Sequence, residues 1–215
     1  MLWISLFLLG HLSWGEPSQS SSVKVVSTAV GQVKNFVVTS RDVQIQNLLE
    51  VALFDKSPQE KIKILALDSK PFSKAVQATL LEWVVSLEAQ SFSLVELTSE
   101  ELKTAEKTTL KVLQKAKPWS QLEVSSEELT KALQRKMLAK KLIEFRAKSS
   151  VLPVTDVEAQ RYFEENRLKF GNLPFENFKE NIKSFLSRNQ VDKRIKDWIE
   201  VLMAKYKVKN LIAET

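Results

Sequence analysis

The chain of 215 residues has a net charge of +6, contains no cysteine and has a single histidine, His11. This composition argues against thiol catalysis, histidine-dependent triads and Cys/His metal sites, because histidine and thiolate supply much of the proton transfer and soft metal ligation available near neutral pH. We therefore expect a protein that is not an enzyme, with no catalytic residues, no metal and no cofactor. The alternative is an enzyme that relies on Asp, Glu, Lys, Ser or Tyr alone, such as a carboxylate-pair hydrolase.

The first fifteen residues have the features of a secretory signal peptide. They carry no charged side chain, residues 2–9 form an apolar run, and Ser13 and Gly15 place small residues where a signal peptidase needs them. We expect cleavage between Gly15 and Glu16 and export to the periplasm. A membrane anchor is the alternative, but fifteen helical residues span roughly 22 Å, less than the roughly 30 Å of a bilayer core. No later run of eighteen apolar residues occurs, so no stable membrane span is expected after processing.

The remaining sequence favours helices. Leu, Lys, Glu, Gln and Ala dominate it, and only Gly31 and Gly171 interrupt it as glycines. Hydroxyl residues followed three positions later by an acid predict four helix starts, with the caps Thr39, Thr98, Ser125 and Thr155. A further helix is expected after Pro71, Pro118 is expected to end the helix that follows Thr98, and the last helix is expected over about 175–206.

Two segments near the ends predict a small β element. Residues 23–38 are rich in β-branched residues on either side of Gly31, which indicates a short strand or hairpin. Residues 208–212 form a possible last strand, and the N-terminal segment is its obvious partner. We therefore predict a mostly α fold of many helices, with a long C-terminal helix and a small β element made by the two termini.

Five short stretches carry a resemblance to a known family. They are VVTSRDV at 37–43, the helix at 80–90, LTSEEL at 97–102, LPVTDVE at 152–158, and YFEEN at 162–166 followed by Phe170. In this order they are similar to the N-terminal chaperone module of the SurA family and of related parvulin-type foldases. The resemblance covers nearly all of residues 16–215, which it implies are a single chaperone domain. Its N-terminal part is 23–170, and the closing helix and strand are 173–213.

The chain departs from this family at one point. In the family, the phrase at 152–166 leads into a parvulin prolyl isomerase domain, whereas GNLPFE at 171–176 already resembles the start of the closing helix. The resemblance therefore implies an ATP-independent holdase that binds unfolded polypeptides, including outer-membrane proteins, and that lacks isomerase activity. Parvulin catalysis also relies on histidines, which the processed chain would not contain.

A holdase needs an apolar groove for its clients. Aromatic residues near helix ends or in loops are the candidates to line it, with a methionine as an adaptable neighbour. They are Phe54, Phe72, Phe92, Trp119 and Met137. Core packing is the alternative role of each of these side chains.

The charge distribution leaves other partners open. The part from Lys131 onward has a net charge of +8, which could attract acidic polypeptides, anionic lipid or nucleic acid, or could be a solvated helix surface. We expect no nucleic-acid binding, since no zinc finger, basic zipper or aromatic RNA-binding signature occurs. The second hypothesis for function is an envelope adaptor or structural protein that binds one folded partner or forms a homodimer.

Overall fold

The computed structural model describes residues 27–92 and 96–212, except for the side chain of Phe92. The predicted signal peptide and its cleavage point at Gly15 and Glu16 lie outside these residues. The described chain is mostly helical and contains a three-stranded sheet, which confirms the predicted fold class. Its helices are α1 (Ser40–Phe54), α2 (Lys70–Phe92), α3 (Ser99–Leu113), α4 (Lys117–Gln121), α5 (Ser126–Ser149), α6 (Asp156–Glu165) and α7 (Lys179–Lys205).

The four predicted helix starts are confirmed as capping boxes. In each, the hydroxyl of the cap residue accepts from a backbone N–H three residues later, and the acid at that position accepts from the N–H of the cap. At α1, for example, Thr39 Oγ1 accepts from the N–H of Asp42 at 3.2 Å, and Asp42 accepts from the N–H of Thr39 at 2.9 Å. Each cap satisfies backbone donors that the first helical turn leaves unpaired, and each contributes about 1 kcal/mol.

One detail of the predicted elements is wrong. Pro118 does not end the helix that begins after Thr98, because α3 stops at Leu113 and Pro118 lies in the first turn of α4. A proline is tolerated there since first-turn N–H groups have no intrahelical acceptor. The predicted hairpin is present: Gly31 lies inside its first strand, and the turn comes three residues later at Lys34, which has a φ of 52°.

The sheet joins the two ends of the described chain, as predicted. Strand β1 (Ala29–Val33) is central and pairs antiparallel with β2 (Phe36–Thr39) on one side and with β3 (Lys209–Asn210) on the other. Gly31 is where this sheet approaches α2. A Cβ atom added to Gly31 would lie 2.6 Å from Cδ2 of Leu80 and 3.2 Å from the carbonyl oxygen of Lys209. The missing side chain therefore allows β3 and α2 to approach β1 closely.

Helix α2 lies at the centre of the main core. It packs against α1, α5, α7 and β1, and its buried residues include Phe72, Val76, Leu80 and Val84. A second cluster joins α1 to α3, α4 and α5 around Leu48, Leu113, Trp119 and Leu133. A third cluster joins α6 to the first half of α7 and is rich in aromatic rings, with Phe163 and Ile182 buried.

Two ion pairs connect elements that are distant in sequence. Glu88 of α2 is buried and accepts from Lys205 Nζ at 2.6 Å and from the Tyr206 hydroxyl at 2.8 Å, which holds the end of α7 against α2. At the other side of the molecule, Arg41 Nη1 of α1 donates to Glu128 of α5 at 2.6 Å, and the Arg41 side chain also donates to the carbonyl of Leu122. These contacts fix α7 and α5 relative to the N-terminal elements.

Replacing Gly31 with alanine should lower the free energy of unfolding by roughly 1–3 kcal/mol, because the new methyl group overlaps Leu80 and crowds a backbone oxygen of β3. Urea denaturation measures the change. The double variant G31A/L80A should lose less than the sum of the two single changes, since the second substitution removes the overlapping side chain. Simple additivity would contradict the close-approach explanation.

The Arg41–Glu128 pair should make stability depend on pH. The hydrogen bonds from Arg41, followed by that from the N–H of Ser125, lower the pKa of Glu128 from 4.5 to about 2. Because the folded-state pKa lies below the unfolded value, this contribution is present above about pH 4.5 and is lost as the pH falls toward 2. E128Q should therefore destabilise the protein by about 1 kcal/mol at pH 7, a value reduced for solvent screening, and by little at pH 2.

The free energy of unfolding of E128Q and of the unaltered protein is measured by urea denaturation across this pH range. E127Q is the matched control, because Glu127 pairs with Lys131 on the open surface of the same helical turn. An equal effect of the two variants at pH 7 would show that the contact with Arg41 contributes nothing specific.

Candidate functional site: a groove between α1, α2 and α5

A groove runs between α1, α2 and α5, with a volume of about 670 Å³. We call it the central groove. Its lining comes from all three helices, since Gln46, Asn47, Glu50 and Phe54 lie on α1, Ala75, Ala78, Thr79, Leu81 and Glu82 on α2, and Lys136, Ala139, Lys140, Ile143 and Glu144 on α5. The three helices are held at this spacing by the main core, which contains residues of all three, and α1 and α5 are also joined by the second cluster.

One side of the central groove is apolar. Phe54, at the end of α1, is 41% exposed, and Leu81 and Ile143 present partly buried aliphatic side chains. Three alanines between them keep the groove open, because a methyl group leaves space that a larger side chain would fill. They are Ala75, Ala78 and Ala139. The arrangement can accept apolar side chains of another molecule at little cost in reorganisation.

A charged side chain borders the exposed aromatic ring. Lys140 Nζ lies 4.2 Å from the centroid of the Phe54 ring, within the range of a cation–π interaction. Glu144, one turn further along α5, lies 3.9 Å from the same ammonium group. The rim of the groove therefore alternates between apolar and charged groups.

The floor of the central groove is ionic. Glu82 of α2 is 9% exposed and contacts Arg135 Nε at 3.0 Å and Lys136 Nζ at 2.7 Å. Lys136 is 8% exposed and also contacts Glu50 of α1 at 3.0 Å. We call these four residues the floor network. It contains two carboxylates and two cations, so it satisfies its own charges without a bound ion.

Polar and aromatic neighbours complete the floor network. With its amide group oriented to match these neighbours, Gln46 donates from its nitrogen to both carboxylate oxygens of Glu82, at 3.0 and 2.9 Å, and accepts from Arg135 through its oxygen. The Arg135 guanidinium lies 4.2 Å from the ring centroid of Trp83, which stacks on Phe36 of β2 with centroids 5.1 Å apart. The network therefore links α1, α2, α5 and the sheet.

The structure does not bring the five predicted client-binding residues together. Phe54 lines the central groove, whereas Phe72 is 1% exposed in the main core and Trp119 is buried in the second cluster. Met137 is half-buried against that second cluster, beside the start of α3. Phe92 is the last residue of α2, and its side chain lies outside the described residues.

Sequence reasoning missed the floor network. Glu82 stands in an apolar stretch between Leu81 and Trp83, and Lys136 follows Arg135 on a helix whose neighbouring positions are apolar. A charged residue inside an apolar stretch of a helix was the only local sign that these side chains are buried and paired. Its partners lie about fifty residues away in the chain, and nothing in the local pattern identifies them.

The described residues contain no group of three or more histidine, cysteine, aspartate or glutamate side chains that could hold a metal ion. No helix among those described is both long enough and apolar enough to cross a bilayer.

Comparison of the chain with models of protein families, with curated proteins and with solved structures gives no match in any of the three. The resemblance to the SurA family therefore rests on the sequence stretches alone, and the central groove has to be interpreted from its own chemistry.

The two carboxylates that contact Lys136 should differ in their importance. E82A should lower the free energy of unfolding by roughly 3 kcal/mol or more, because it leaves Arg135 without a carboxylate and leaves the buried Lys136 with only the exposed Glu50. E50A removes a contact to the same lysine from a side chain that is 59% exposed, and should lower it by less than about 1 kcal/mol. Denaturant unfolding of both variants checks this, and similar losses would contradict a buried role for Glu82.

Proposed function

We propose that this protein is an ATP-independent holdase chaperone of the periplasm. In this proposal it binds apolar segments of unfolded polypeptides, including outer-membrane proteins, in the central groove, and it has no peptidyl-prolyl isomerase activity or other catalysis. The observation that carries the proposal is an open groove with an apolar side around the exposed ring of Phe54 and a floor whose charges are already paired.

The mixed lining of the groove suits an unfolded chain. A segment of a β-barrel precursor alternates apolar and polar side chains and has unpaired backbone groups. Its apolar side chains can contact Phe54, Leu81 and Ile143, while its polar groups can face Glu50 and Lys140 at the rim. Because Phe54 and its neighbours contribute contact area without a fixed hydrogen-bond pattern, many sequences can bind.

The paired floor also favours broad binding over recognition of one charged ligand. The two carboxylates and two cations of the floor network neutralise one another, so a bound molecule gains little by bringing a particular charge to the floor. An ionic subsite for a specific substrate would present a charge without a partner. The sequence resemblance to the SurA family supports the same conclusion independently.

The proposal predicts that the purified protein suppresses aggregation of a denatured outer-membrane barrel protein at a near-stoichiometric ratio, measured by light scattering without ATP. A78W should reduce this suppression severalfold or more, because an indole at the exposed Ala78 position fills the groove without disturbing the core. F54S should also weaken suppression, because it removes the exposed ring from the apolar side.

Phe185 provides a matched control on α7. It is 44% exposed, close to the 41% of Phe54, and it is not part of the groove lining. F185S should therefore leave suppression near that of the unaltered protein. Equal loss in F54S and F185S would place binding elsewhere, and no suppression by the unaltered protein would overturn the chaperone proposal.

A photo-crosslinking residue at position 54 distinguishes the holdase proposal from the adaptor hypothesis. Crosslinks to several unfolded clients support a holdase, whereas one folded partner in a fixed ratio, or a second copy of the chain, would support an adaptor. Measurement of cis–trans isomerisation of a proline-containing peptide should give the uncatalysed rate.

A further inference from the structure

Among the described residues, positive charge without a carboxylate partner occurs outside the part of the chain that the sequence suggested as well as within it. In the half after Lys131, many cations are engaged by carboxylates in the structure: Lys131, Arg135, Lys136, Lys141, Lys179, Lys183 and Lys205. The high net charge of that half therefore does not translate into an equally positive surface.

Helix α3 presents the opposite case. Lys103, Lys107 and Lys111 follow one another at four-residue spacing, and Lys115 continues the spacing in the turn directly after the helix. We call these four residues the lysine surface. All four are exposed, and none of them has a carboxylate of the described chain within ion-pairing distance.

The lysine surface points away from the protein. The buried residues of α3 are Ala105, Thr109 and Leu113, which face the second core cluster. At 100° per residue, the lysines fall on the opposite side of the helix, about 6 Å apart along its axis. Three of them border a shallow depression together with Leu110 and the acidic side chain of Glu106. Glu100 lies on the same face, so the four lysines and the two glutamates Glu100 and Glu106 leave a net charge of +2 on this surface.

We propose that the lysine surface docks the protein onto the anionic headgroups of a lipid bilayer. A row of lysines supplies hydrated point charges on flexible stems, which suit many mobile phosphate groups and do not require a fixed geometry. Protein interfaces instead favour arginine and aromatic residues and are depleted in lysine. The exposed side of α3 offers neither an arginine nor an aromatic ring. A membrane surface therefore fits this face better than an acidic protein.

Docking through α3 would leave the central groove accessible. The groove is formed by α1, α2 and α5, whereas the lysines lie on the outward side of α3. This inference does not depend on the chaperone proposal, because it concerns a separate surface and is measured without any client.

The test is cosedimentation of the purified full-length protein with vesicles of phosphatidylcholine containing about one third phosphatidylglycerol, compared with phosphatidylcholine alone. The quadruple variant K103Q/K107Q/K111Q/K115Q should bind the anionic vesicles roughly 600-fold more weakly, at about fivefold per lysine removed. Its circular dichroism spectrum should be unchanged, since the four side chains are exposed and form no ion pair with residues 27–92 or 96–212.

The matched control variant is K74Q/K148Q/K193Q/K196Q, which removes the same charge from exposed lysines on α2, α5 and α7. It should retain most of the binding. The N-terminal residues are identical in all three proteins, so any contribution they make to binding is common to them. Raising the salt from about 0.1 M to about 1 M should release the unaltered protein, since the Debye length falls from about 10 Å to about 3 Å.

Three results would overturn the proposal. They are equal losses in the two quadruple variants, binding to anionic vesicles that salt does not weaken, and binding of soluble polyglutamate that anionic vesicles fail to displace. The last result would identify an acidic polypeptide as the partner of α3.

Discussion

The arrangement of the molecule depends on two carboxylates of α2, which are buried by the surrounding elements and therefore need cationic or hydrogen-bonding partners. Helix α2 packs against three helices and the sheet, yet it carries Glu82 and Glu88 at positions that are almost fully buried. An unpaired carboxylate there would be strongly unfavourable. Glu82 is matched by cations of α5, and Glu88 by Lys205 and the hydroxyl of Tyr206. The two pairs fix where α5 and α7 contact α2 along its length.

This pairing connects the core to the surface properties of the molecule. The cations that serve the buried carboxylates come from the sequence half with the larger net charge, and their engagement reduces the positive charge that half presents to solvent. The groove gains a floor that is polar but electrically balanced, below an apolar side formed by Phe54 and its neighbours. The lysines of α3 have no comparable role inside the protein, and their charge remains at the surface.

The sequence was a good guide to features that depend on a few adjacent residues. The caps at Thr39 and Thr98 are local hydrogen-bond patterns, and the closing strand follows from β-branched segments at two ends of an otherwise helical chain. The exposure of aromatic residues could not be predicted in the same way. Phe54 and Phe72 both lie near helix ends, but one lines a groove and the other is in the core, because other helices decide which face is covered. The contact of Glu82 with α5 is equally non-local.

Helix α7 is shared by two separate apolar clusters. Its first half packs with α6 around Phe163, and its last turns are held against α2 through Lys205 and Tyr206. A continuous helix of 27 residues is about 40 Å long and resists bending over that length. Rotation by about 10° at the held end would displace the α6 end by roughly 7 Å. A small rotation of the C-terminal end of α7 near the sheet would therefore move the aromatic cluster at its N-terminal end by a much larger distance.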